Sequence, residues 1–462
     1  MQKQTYEMAE NTIHVVMIPW SAFGHLIPFF QLSIALAKSG VHVSFISTPK
    51  NIQRLPKVPS NLAHLIDLVQ LPLPSLDKDL LPEGAEATVD IPFEKIQYLK
   101  LAYDNLQHAV KQFVGNQLPD WIICDFCQHW ITDIAQEHQV KLIYFSVYSA
   151  STMAFLGPPG TRKAPVSPES LTVPPQWLTF PSSVALQRHE ASAFCANHYE
   201  ENASGIGDLE RFAKVFSASK AIIFRSCYEI EGDYLNAFQK LAGKPVIPIG
   251  LLPVERGNVE GVRGETFEWL DRQACRSVLF VGFGSECKLS KDQVFEIAYG
   301  VEESKLPFLW ALRKPSWANN DENSLPFGFI ERTSKRGIVC MGWIPQQEIL
   351  AHPCIGGSLF HSGWGSAIET LQFGHTLVLL PFIADQPLNA RFLVEKGLAI
   401  EVKRNADGSF SRNDIATSIK QAMVLEEGKN IRANTGEAAT IVGNRKLHQD
   451  HYIAAFVQFL KK

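Results

Sequence analysis

Short apolar runs alternate with helix-patterned segments near the start of the chain. Residues 13–18 are a largely apolar run that ends before Pro19, residues 26–38 carry apolar side chains at helical spacing, and residues 41–47 are a second apolar run. Gly40 lies between the last two segments and is typical of a helix end. A strand, a helix and a strand in this order predict a parallel sheet with helices packed against it.

The same alternation continues through the first half of the chain. Residues 121–124 and 141–146 are predicted as later strands of this sheet, with a helix at 131–138 between them. Residues 221–226 are predicted as its last strand. The Pro-rich residues 157–181 predict loops over one face of the sheet.

A second α/β domain is predicted after residues 245–264, which contain three Pro and four Gly and resemble a linker. Beyond them, strands are predicted at 277–283, 308–312, 338–341, 355–360 and 376–381, and a helix at 291–304. The predicted fold class is therefore α/β, with two doubly wound, Rossmann-like domains facing a central cleft. The predicted organisation is a first domain at 1–244, a linker at 245–264, a second domain at 265–447, and a helix at 448–462 that packs back on the first domain.

The composition argues against several classes of protein. The 462 residues are 46% hydrophobic and 19% charged, with a net charge of −4, so no nucleic-acid surface is predicted. No stretch of about 18 apolar residues occurs, and the first residues are mostly polar, so we expect neither a transmembrane segment nor a secretory signal. Eight widely spread cysteines favour a reduced, cytoplasmic protein.

Cys124 and Cys127 form a Cys-x-x-Cys pair, a spacing found in redox and zinc sites. No second pair follows, and no group of histidines completes a metal site. We therefore expect both to be cysteines at a strand end, and the sequence predicts no metal.

Residues that suit a nucleotide-sugar are concentrated between positions 343 and 386. The indole of Trp343 can stack on a flat base, or can be part of the core. Gln346 and Glu369 can reach a ribose, and a carboxylate can accept from both hydroxyls of a diol, although each residue alone also fits a solvated helix face. Asp385 and Gln386 suit adjacent sugar hydroxyls, or form an ordinary turn.

Residues 361–366 read His-Ser-Gly-Trp-Gly-Ser and precede a predicted helix at 367–373. The two glycines let the backbone approach a phosphate, and the N–H groups at a helix start attract anions. His361 and Ser366 can donate to diphosphate oxygens. In the alternative interpretation Ser366 is only the N-cap of the helix and His361 is a buried core histidine.

A histidine and an aspartate follow two predicted strands of the first sheet. His25 lies in the first strand-to-helix loop, and Asp125 follows the strand at 121–124, so both lie at the same edge of the sheet. A histidine supported by a carboxylate suits the removal of a proton from a hydroxyl near neutral pH. A loop histidine without a role is the alternative.

Residues 343–386, taken together, resemble the donor-binding signature of the plant UDP-dependent glycosyltransferases, glycosyltransferase family 1. The elements W-x-P-Q, H-x-G-W, E and D-Q are all present, and the resemblance extends over essentially the whole chain. It is greatest for the group 91 enzymes and their sugar-extending relatives, through the stretches PWSAFGHLIPFFQLS and FISTPKNIQRLP. The resemblance implies a GT-B fold, an inverting mechanism, a UDP-sugar as donor substrate, no bound cofactor and no metal requirement.

The resemblance also implies roles for individual residues. His25 would be the general base and Asp125 its orienting carboxylate. The donor would be held at these positions: uracil by Trp343 and the backbone of Ile344; ribose by Gln346 and Glu369; diphosphate by Ser285, His361, Ser366 and the backbone at Gly363 and Gly365; sugar by Trp364, Asp385 and Gln386. Most family members have Asn at the position of Gly365 and Cys at that of Ser362, so one donor contact of the family is missing here.

The acceptor is expected on the first domain. Candidate apolar walls, most of them equally compatible with plain core, are Trp20, Phe126, Trp130, Tyr148 and Phe194. Such walls suit a terpenoid, steroid or flavonoid body, and the group 91 resemblance implies that the attacked hydroxyl belongs to a sugar already attached to it.

The predicted function is therefore transfer of a sugar, most simply glucose, from a UDP-sugar to a glycoside of a small hydrophobic natural product. A UDP-rhamnose-dependent enzyme and an aglycone glucosyltransferase are alternatives. A nicotinamide-dependent oxidoreductase should have Gly-x-Gly-x-x-Gly after its first strand, which is absent from residues 19–25. A non-enzymatic small-molecule binding protein would not need His25 and Asp125 together, and no protein partner is implied.

Overall fold

The computed structural model describes residues 12–162, 166–254, 264–342 and 344–462. The chain divides into two compact units. The first unit comprises Met1–Val166, Phe194–Leu252 and Arg445–Lys462, and the second comprises Ser167–Ala193 and Pro253–Asn444.

The first unit is built on a parallel sheet with strand order β3-β2-β1-β4-β5-β6-β7 over the described residues. The strands are β1 (His14–Ile18), β2 (His42–Ser47), β3 (Ile66–Gln70), β4 (Trp121–Cys124), β5 (Lys141–Ser146), β6 (Ala221–Phe224) and β7 (Val246–Pro248). The central strands are continuous apolar runs because helices cover both faces of a parallel sheet. The helices between β1 and β7 are α1 (Phe23–Ala37), α2 (Pro49–Arg54), α3 (Ile96–Asp104), α4 (Gln107–Gln117), α5 (Ile131–Glu137), α6 (Ala150–Leu156), α7 (Arg188–His198), α8 (Asp208–Ala218) and α9 (Tyr228–Ala242).

The first unit differs from the sequence-based prediction at the edges of its sheet, where β3 and β7 were not predicted, and at the start of α1. β7 pairs with β6, so the prediction that residues 221–226 form the last strand is wrong. β7 has only three residues and ends in Pro248, which gives little periodic signal at a sheet edge. Helix α1 begins at Phe23 rather than at residue 26, so His25 lies in the first turn of a helix and not in the preceding loop.

The second unit has a parallel sheet with strand order β10-β9-β8-β11-β12-β13 over its described residues. Its strands are β8 (Val278–Gly282), β9 (Phe308–Leu312), β10 (Gly337–Met341), β11 (Ile355–Phe360), β12 (Thr376–Leu379) and β13 (Ala399–Glu401). Its helices are α10 (Glu265–Asp271), α11 (Lys291–Ser304), α12 (Phe329–Thr333), α13 (Gln346–Leu350), α14 (Trp364–Leu371), α15 (Gln386–Glu395), α16 (Arg412–Met423) and α17 (Lys429–Val442). The predicted α/β class with two doubly wound sheets is confirmed.

The segment Ser167–Ala193 belongs to the second unit although it precedes the last two strands of the first sheet. Its Ser183 donates a backbone N–H to the Glu395 carboxylate at 2.6 Å, and its Glu190 pairs with Arg391 at 3.0 Å. Both partners lie on α15, so this segment is attached to the helix that starts at Gln386.

The end of the chain lies in the core of the first unit. A π-helical turn (Leu447–Ile453) leads into α18 (Ala454–Leu460), and the side chains of Phe456 and Leu460 are buried with those of the first sheet. The indole of Trp121 on β4 donates to the backbone carbonyl of Leu460 at 2.9 Å. Among the described helices, none combines the length and apolar character needed to span a bilayer.

Candidate active site

His25, Asp125, Ser285 and His361 follow the strands at which the strand order of each sheet reverses. In the first sheet β1 and β4 are neighbours, with Ile18 opposite Cys124, so the segments that follow them leave from the same edge. In the second sheet β8 and β11 are neighbours in the same way. Ligands of doubly wound sheets bind at this position because the connections after the two strands turn to opposite faces of the sheet and leave a crevice between them.

His25 and Asp125 form a hydrogen-bonded pair at this edge of the first sheet. The Nδ1 atom of His25 lies 2.7 Å from Oδ2 of Asp125, although 100 residues separate the two in the sequence. Asp125 is fully buried, and its carboxylate also accepts the backbone N–H groups of Trp20 at 3.1 Å and Phe126 at 2.7 Å. When Nδ1 donates to the carboxylate, the neutral ring carries its lone pair on Nε2, which is the form required of a general base.

Two of the five candidate apolar walls lie next to this pair. The ring centroids of Phe126 and Tyr148 are 5.8 and 5.6 Å from that of His25. Phe126 is as buried as the other three candidates, Trp20, Trp130 and Phe194, whereas Tyr148 is half-buried.

Those three have partners within the first unit. Trp20 packs edge-on against Tyr103, and the Trp130 indole donates to Asp104 at 3.1 Å. Phe194 packs against His198, with ring centroids 4.4 Å apart. Core packing is therefore an adequate reason for these three residues, whereas Phe126 and Tyr148 are placed to border a group held at His25.

In the second unit, Gln346 and Glu369 are brought together by the neighbouring helices α13 and α14. The Gln346 amide donates to Oε2 of Glu369 at 3.0 Å, which orients the carboxylate. Both side chains border a small pocket, whose remaining lining is Phe280, Gly282, Gly284, Leu350, Phe360, Ser366 and Thr370. Ile344 is half-buried and packs on the apolar cluster beside α13. Trp343, predicted to stack on the base, lies outside the described residues.

His361 follows β11 and lies against two glycines. A Cβ at Gly284 would lie 2.7 Å from the His361 ring, and one at Gly363 would lie 2.6 Å from it, so neither position has room for a side chain. Nδ1 of His361 is buried without a hydrogen-bond partner in the described structure. Burial lowers the pKa of His361 to about 4, so the ring is neutral near pH 7 and can donate a hydrogen bond to an anion.

Helix α14 begins at Trp364, three residues earlier than predicted, because Gly363 is its N-cap in an extended conformation. The alternative in which Ser366 is the N-cap is therefore wrong, and Ser366 lies in the first turn, at the edge of the pocket. Trp364 is buried and packs on Phe392, whereas Gly365 is half-buried. Ser285, in the loop after β8, is half-buried, and its carbonyl accepts from Arg313 at 3.0 Å.

Asp385 and Gln386 form the start of α15. The side-chain oxygen of Gln386 accepts the backbone N–H groups of Phe382 at 2.9 Å and Ile383 at 3.1 Å. An Asp385 oxygen accepts from the Asn389 amide at 2.8 Å. The oxygen of Gln386 therefore holds its own loop, and its NH2 group, which lies 3.7 Å from Sγ of Cys287, is the part suited to a sugar hydroxyl.

Two residues beside this loop were not assigned a role from the sequence. The Ser362 hydroxyl lies 2.5 Å from the backbone carbonyl of His361 and 2.7 Å from that of Gln386, so the two acceptors share its one proton, and the Asn389 amide donates to the carbonyl of Ser362 at 3.1 Å. The spacing of four residues between Asp385 and Asn389 was a visible helical signal. The bond between Ser362 and Gln386 had none, because it joins two strand-end segments.

The cysteines of the Cys-x-x-Cys pair are buried and free. Burial raises the pKa of the Cys124 thiol well above its usual value and that of Cys127 likewise, so both are held as unreactive thiols. Within the described ranges, no three His, Cys, Asp or Glu side chains converge as metal ligands would.

Comparison with known proteins gives consistent matches. Residues 193–437 match the family model described as UDP-glucoronosyl and UDP-glucosyl transferase. UDP-glycosyltransferase 91A1 of Arabidopsis thaliana is 40% identical over 456 residues, which are 97% of this chain and 96% of that protein. Soyasaponin III rhamnosyltransferase of Glycine max is 40% identical over 465 residues, which are 98% of this chain and 96% of that protein.

Solved structures show the same fold. UGT73P12 of Glycyrrhiza uralensis, complexed with glycyrrhetinic acid 3-O-monoglucuronide, matches with a TM-score of 0.80 at 22% identity, over 98% of this chain and 96% of that one. UGT89C1 of Arabidopsis thaliana, complexed with UDP-L-rhamnose, matches with a TM-score of 0.73 at 23% identity, over 98% of this chain and 100% of that one. The fold is therefore of the GT-B class.

Proposed function

The chain belongs to the plant UDP-glycosyltransferases, in group 91, and on this premise we propose that it transfers glucose from UDP-glucose to a sugar hydroxyl of a hydrophobic glycoside, with inversion at the anomeric carbon. Membership of the family makes it a hexosyltransferase that uses a UDP-sugar as donor. The choice of glucose, the acceptor class and the inverting course are the parts that we propose.

The hydrogen bond between His25 and Asp125 is the observation that carries the mechanism. Nε2 of His25 takes the proton of the acceptor hydroxyl as its oxygen attacks the anomeric carbon. The oxygen–carbon bond forms as the bond to the UDP oxygen breaks, and a single displacement inverts the configuration. Asp125 holds the ring in the required tautomer and stabilises the imidazolium that forms.

The second unit supports the binding of the leaving UDP. Glu369, oriented by Gln346, suits the two ribose hydroxyls. Neutral His361 and the hydroxyl of Ser366 suit the diphosphate, whose charge also interacts favourably with the N-terminal end of α14. We assign base stacking to Trp343 from its position in the signature.

The acceptor proposal is supported by the surroundings of His25. Phe126 and Tyr148 place two aromatic rings within about 6 Å of the imidazole, which favours a largely apolar acceptor body. A terpenoid, steroid or flavonoid glycoside has such a body together with a sugar hydroxyl. Because all eight cysteines are free, we also infer that the enzyme works in the reducing cytoplasm.

Rhamnose is the second candidate donor sugar. A relative that is 40% identical carries the name soyasaponin III rhamnosyltransferase. This chain also has Gly365 where most family members have Asn, which removes a side chain from the first turn of α14. Both observations favour testing UDP-rhamnose beside UDP-glucose.

A coupled UDP-release assay tests the proposal. Terpenoid, steroid and flavonoid monoglucosides are compared with the matching aglycones, with each of the two donors, and His25→Ala serves as the control. Release on glucosides with UDP-glucose, lost in His25→Ala, is the expected result. Equal or faster release on aglycones would overturn the acceptor proposal, and release with UDP-rhamnose alone would overturn the donor proposal.

A further inference from the structure

A single peptide group beside the catalytic pair is hydrogen-bonded at both ends. The N–H of Trp20 donates to Oδ2 of Asp125 at 3.1 Å, and the carbonyl of Pro19 accepts the hydroxyl of Tyr103 at 2.5 Å. These N–H and carbonyl groups belong to the same planar amide, so they cannot rotate independently. Whatever holds the Pro19 carbonyl therefore also fixes the direction of the N–H that reaches Asp125.

Tyr103 is suited to this role by its burial and its second hydrogen bond. It is 2% exposed, and burial raises its pKa far above the usual value, so the hydroxyl remains a neutral donor. The same hydroxyl accepts the Gln128 amide at 3.2 Å. Since Gln128 lies three residues after Asp125, Tyr103 on α3 connects the segment after β1 with the segment after β4.

We propose that Tyr103 is a positioning residue for the His25–Asp125 pair and acts through the Pro19–Trp20 peptide. The proposal rests on the assigned role of His25 as general base. A donor at the Pro19 carbonyl polarises the amide and strengthens its N–H as a donor to the buried carboxylate. Loss of the Tyr103 hydroxyl would leave that carbonyl and the Gln128 amide without their partner, and the amide plane would be free to tilt.

A purely structural role for Tyr103 is the alternative, and the chain offers a matched control. Tyr452 is 3% exposed, donates to Glu229 at 2.7 Å and accepts the backbone N–H of Tyr228 at 2.9 Å. Tyr452→Phe therefore removes a buried hydroxyl with the same number of these bonds from the same unit, but away from Asp125.

The first measurement compares kcat and KM of the wild type, Tyr103→Phe and Tyr452→Phe. Tyr103→Phe should lower kcat about 3- to 10-fold, the effect expected of one hydrogen bond, with KM for the UDP-sugar unchanged. Tyr452→Phe should lower the melting temperature about as much as Tyr103→Phe does, but leave kcat within about 2-fold of the wild type. Equal kcat in the two variants would overturn the proposal.

The second measurement repeats Tyr103→Phe in an Asp125→Ala background. If Tyr103 acts through the carboxylate, adding Tyr103→Phe to Asp125→Ala should cause no further loss of the residual kcat. If Tyr103→Phe lowers kcat by the same factor with and without Asp125, its effect is independent of the carboxylate and the proposal is contradicted. Gln128→Leu leaves Tyr103 in place and should lower kcat less than Tyr103→Phe, again only when Asp125 is present. This variant replaces Tyr103→Phe in the experiment if that protein fails to fold.

A third measurement does not depend on turnover. The proton on Nδ1 of His25 should give a downfield NMR resonance that is absent from His25→Ala. In Tyr103→Phe this resonance should shift or broaden, whereas Tyr452→Phe should leave it in place. An unchanged resonance in Tyr103→Phe would overturn the proposal, and absence of sugar transfer by the wild type would overturn only the proposed function.

Discussion

The hydroxyl of Ser362 lies within hydrogen-bond distance of the backbone carbonyl of Gln386, at 2.7 Å, and shares its one proton between this carbonyl and that of His361 at 2.5 Å. Ser362 follows β11 and Gln386 begins α15, so this bond joins the segment assigned to the diphosphate to the segment assigned to the sugar. The Asn389 amide adds a second connection, since it donates to both the Ser362 carbonyl and Asp385. The two donor segments are therefore held in one arrangement.

Ser362→Ala should weaken donor binding through this connection. The substitution removes the hydrogen bond between the two segments, which contributes about 0.5–1.5 kcal/mol, while the Gln386 carbonyl keeps its partner within α15. We expect KM for the UDP-sugar to rise several-fold. We also expect the kcat/KM values for the two donor sugars to become more alike. Steady-state kinetics with UDP-glucose and UDP-rhamnose measure both effects.

A matched control for this substitution is Ser304→Ala. Ser304 is also buried in the second unit and donates to the carbonyl of Val301 at 2.7 Å, within α11. It should lower stability without changing the ratio of the two donors. The same change of ratio in both variants would contradict the role given to Ser362.

Glu369→Ala should weaken the binding of UDP itself. The substitution removes a carboxylate that suits both ribose hydroxyls, and hydrogen bonds to charged groups contribute about 1.5–3 kcal/mol each. We expect the dissociation constant for UDP to rise by roughly 10- to 100-fold, with a smaller effect on kcat at saturating donor. Calorimetric titration with UDP measures this dissociation constant. Glu348→Ala on helix α13 is the control, and equal UDP affinities in the two variants would refute the ribose assignment.

Asp125→Asn should lower turnover and leave UDP binding intact. The carboxylate accepts three hydrogen bonds, from His25, Trp20 and Phe126, and an amide presents its NH2 group to at least one of these donors. The imidazolium formed during transfer also loses its counter-charge. We expect kcat to fall by about 10²- to 10⁴-fold. A parallel loss of UDP affinity would show that the substitution disturbs more than the base.

Interior strands were predictable from the sequence because they are apolar on both faces. The run at 141–146 and the run at 355–360 match β5 and β11 to the residue. The edge strands β3 and β13 were missed, since a strand half exposed to water, or only three residues long, lacks that pattern.

The residue types of the site were also readable, but their pairings were not. His25 and Asp125 could be placed at one sheet edge because each follows a strand. The close approach of Gly284 to His361 and the bond from Ser362 to Gln386 depend on which strands are neighbours and on their register. Neither property is encoded within a single segment.

His361 gives a prediction for stability against pH. Burial lowers its pKa from 6.5 to about 4 in the folded protein. Between these values the unfolded chain takes up a proton that the folded chain does not. The free energy of unfolding therefore falls as the pH drops from 6.5 toward 4, and the stability that depends on a neutral His361 is fully present above pH 6.5.

His361→Gln, which does not titrate, should remove this part of the pH dependence. On moving from about pH 7.5 to about pH 5, the wild type should lose roughly 2 kcal/mol more unfolding free energy than the variant. Urea unfolding of both proteins at the two pH values measures the difference. A diphosphate beside His361 would favour its protonated form, so saturating UDP should reduce the excess loss in the wild type alone. Identical pH dependence of the two proteins would show that His361 is not held neutral by burial.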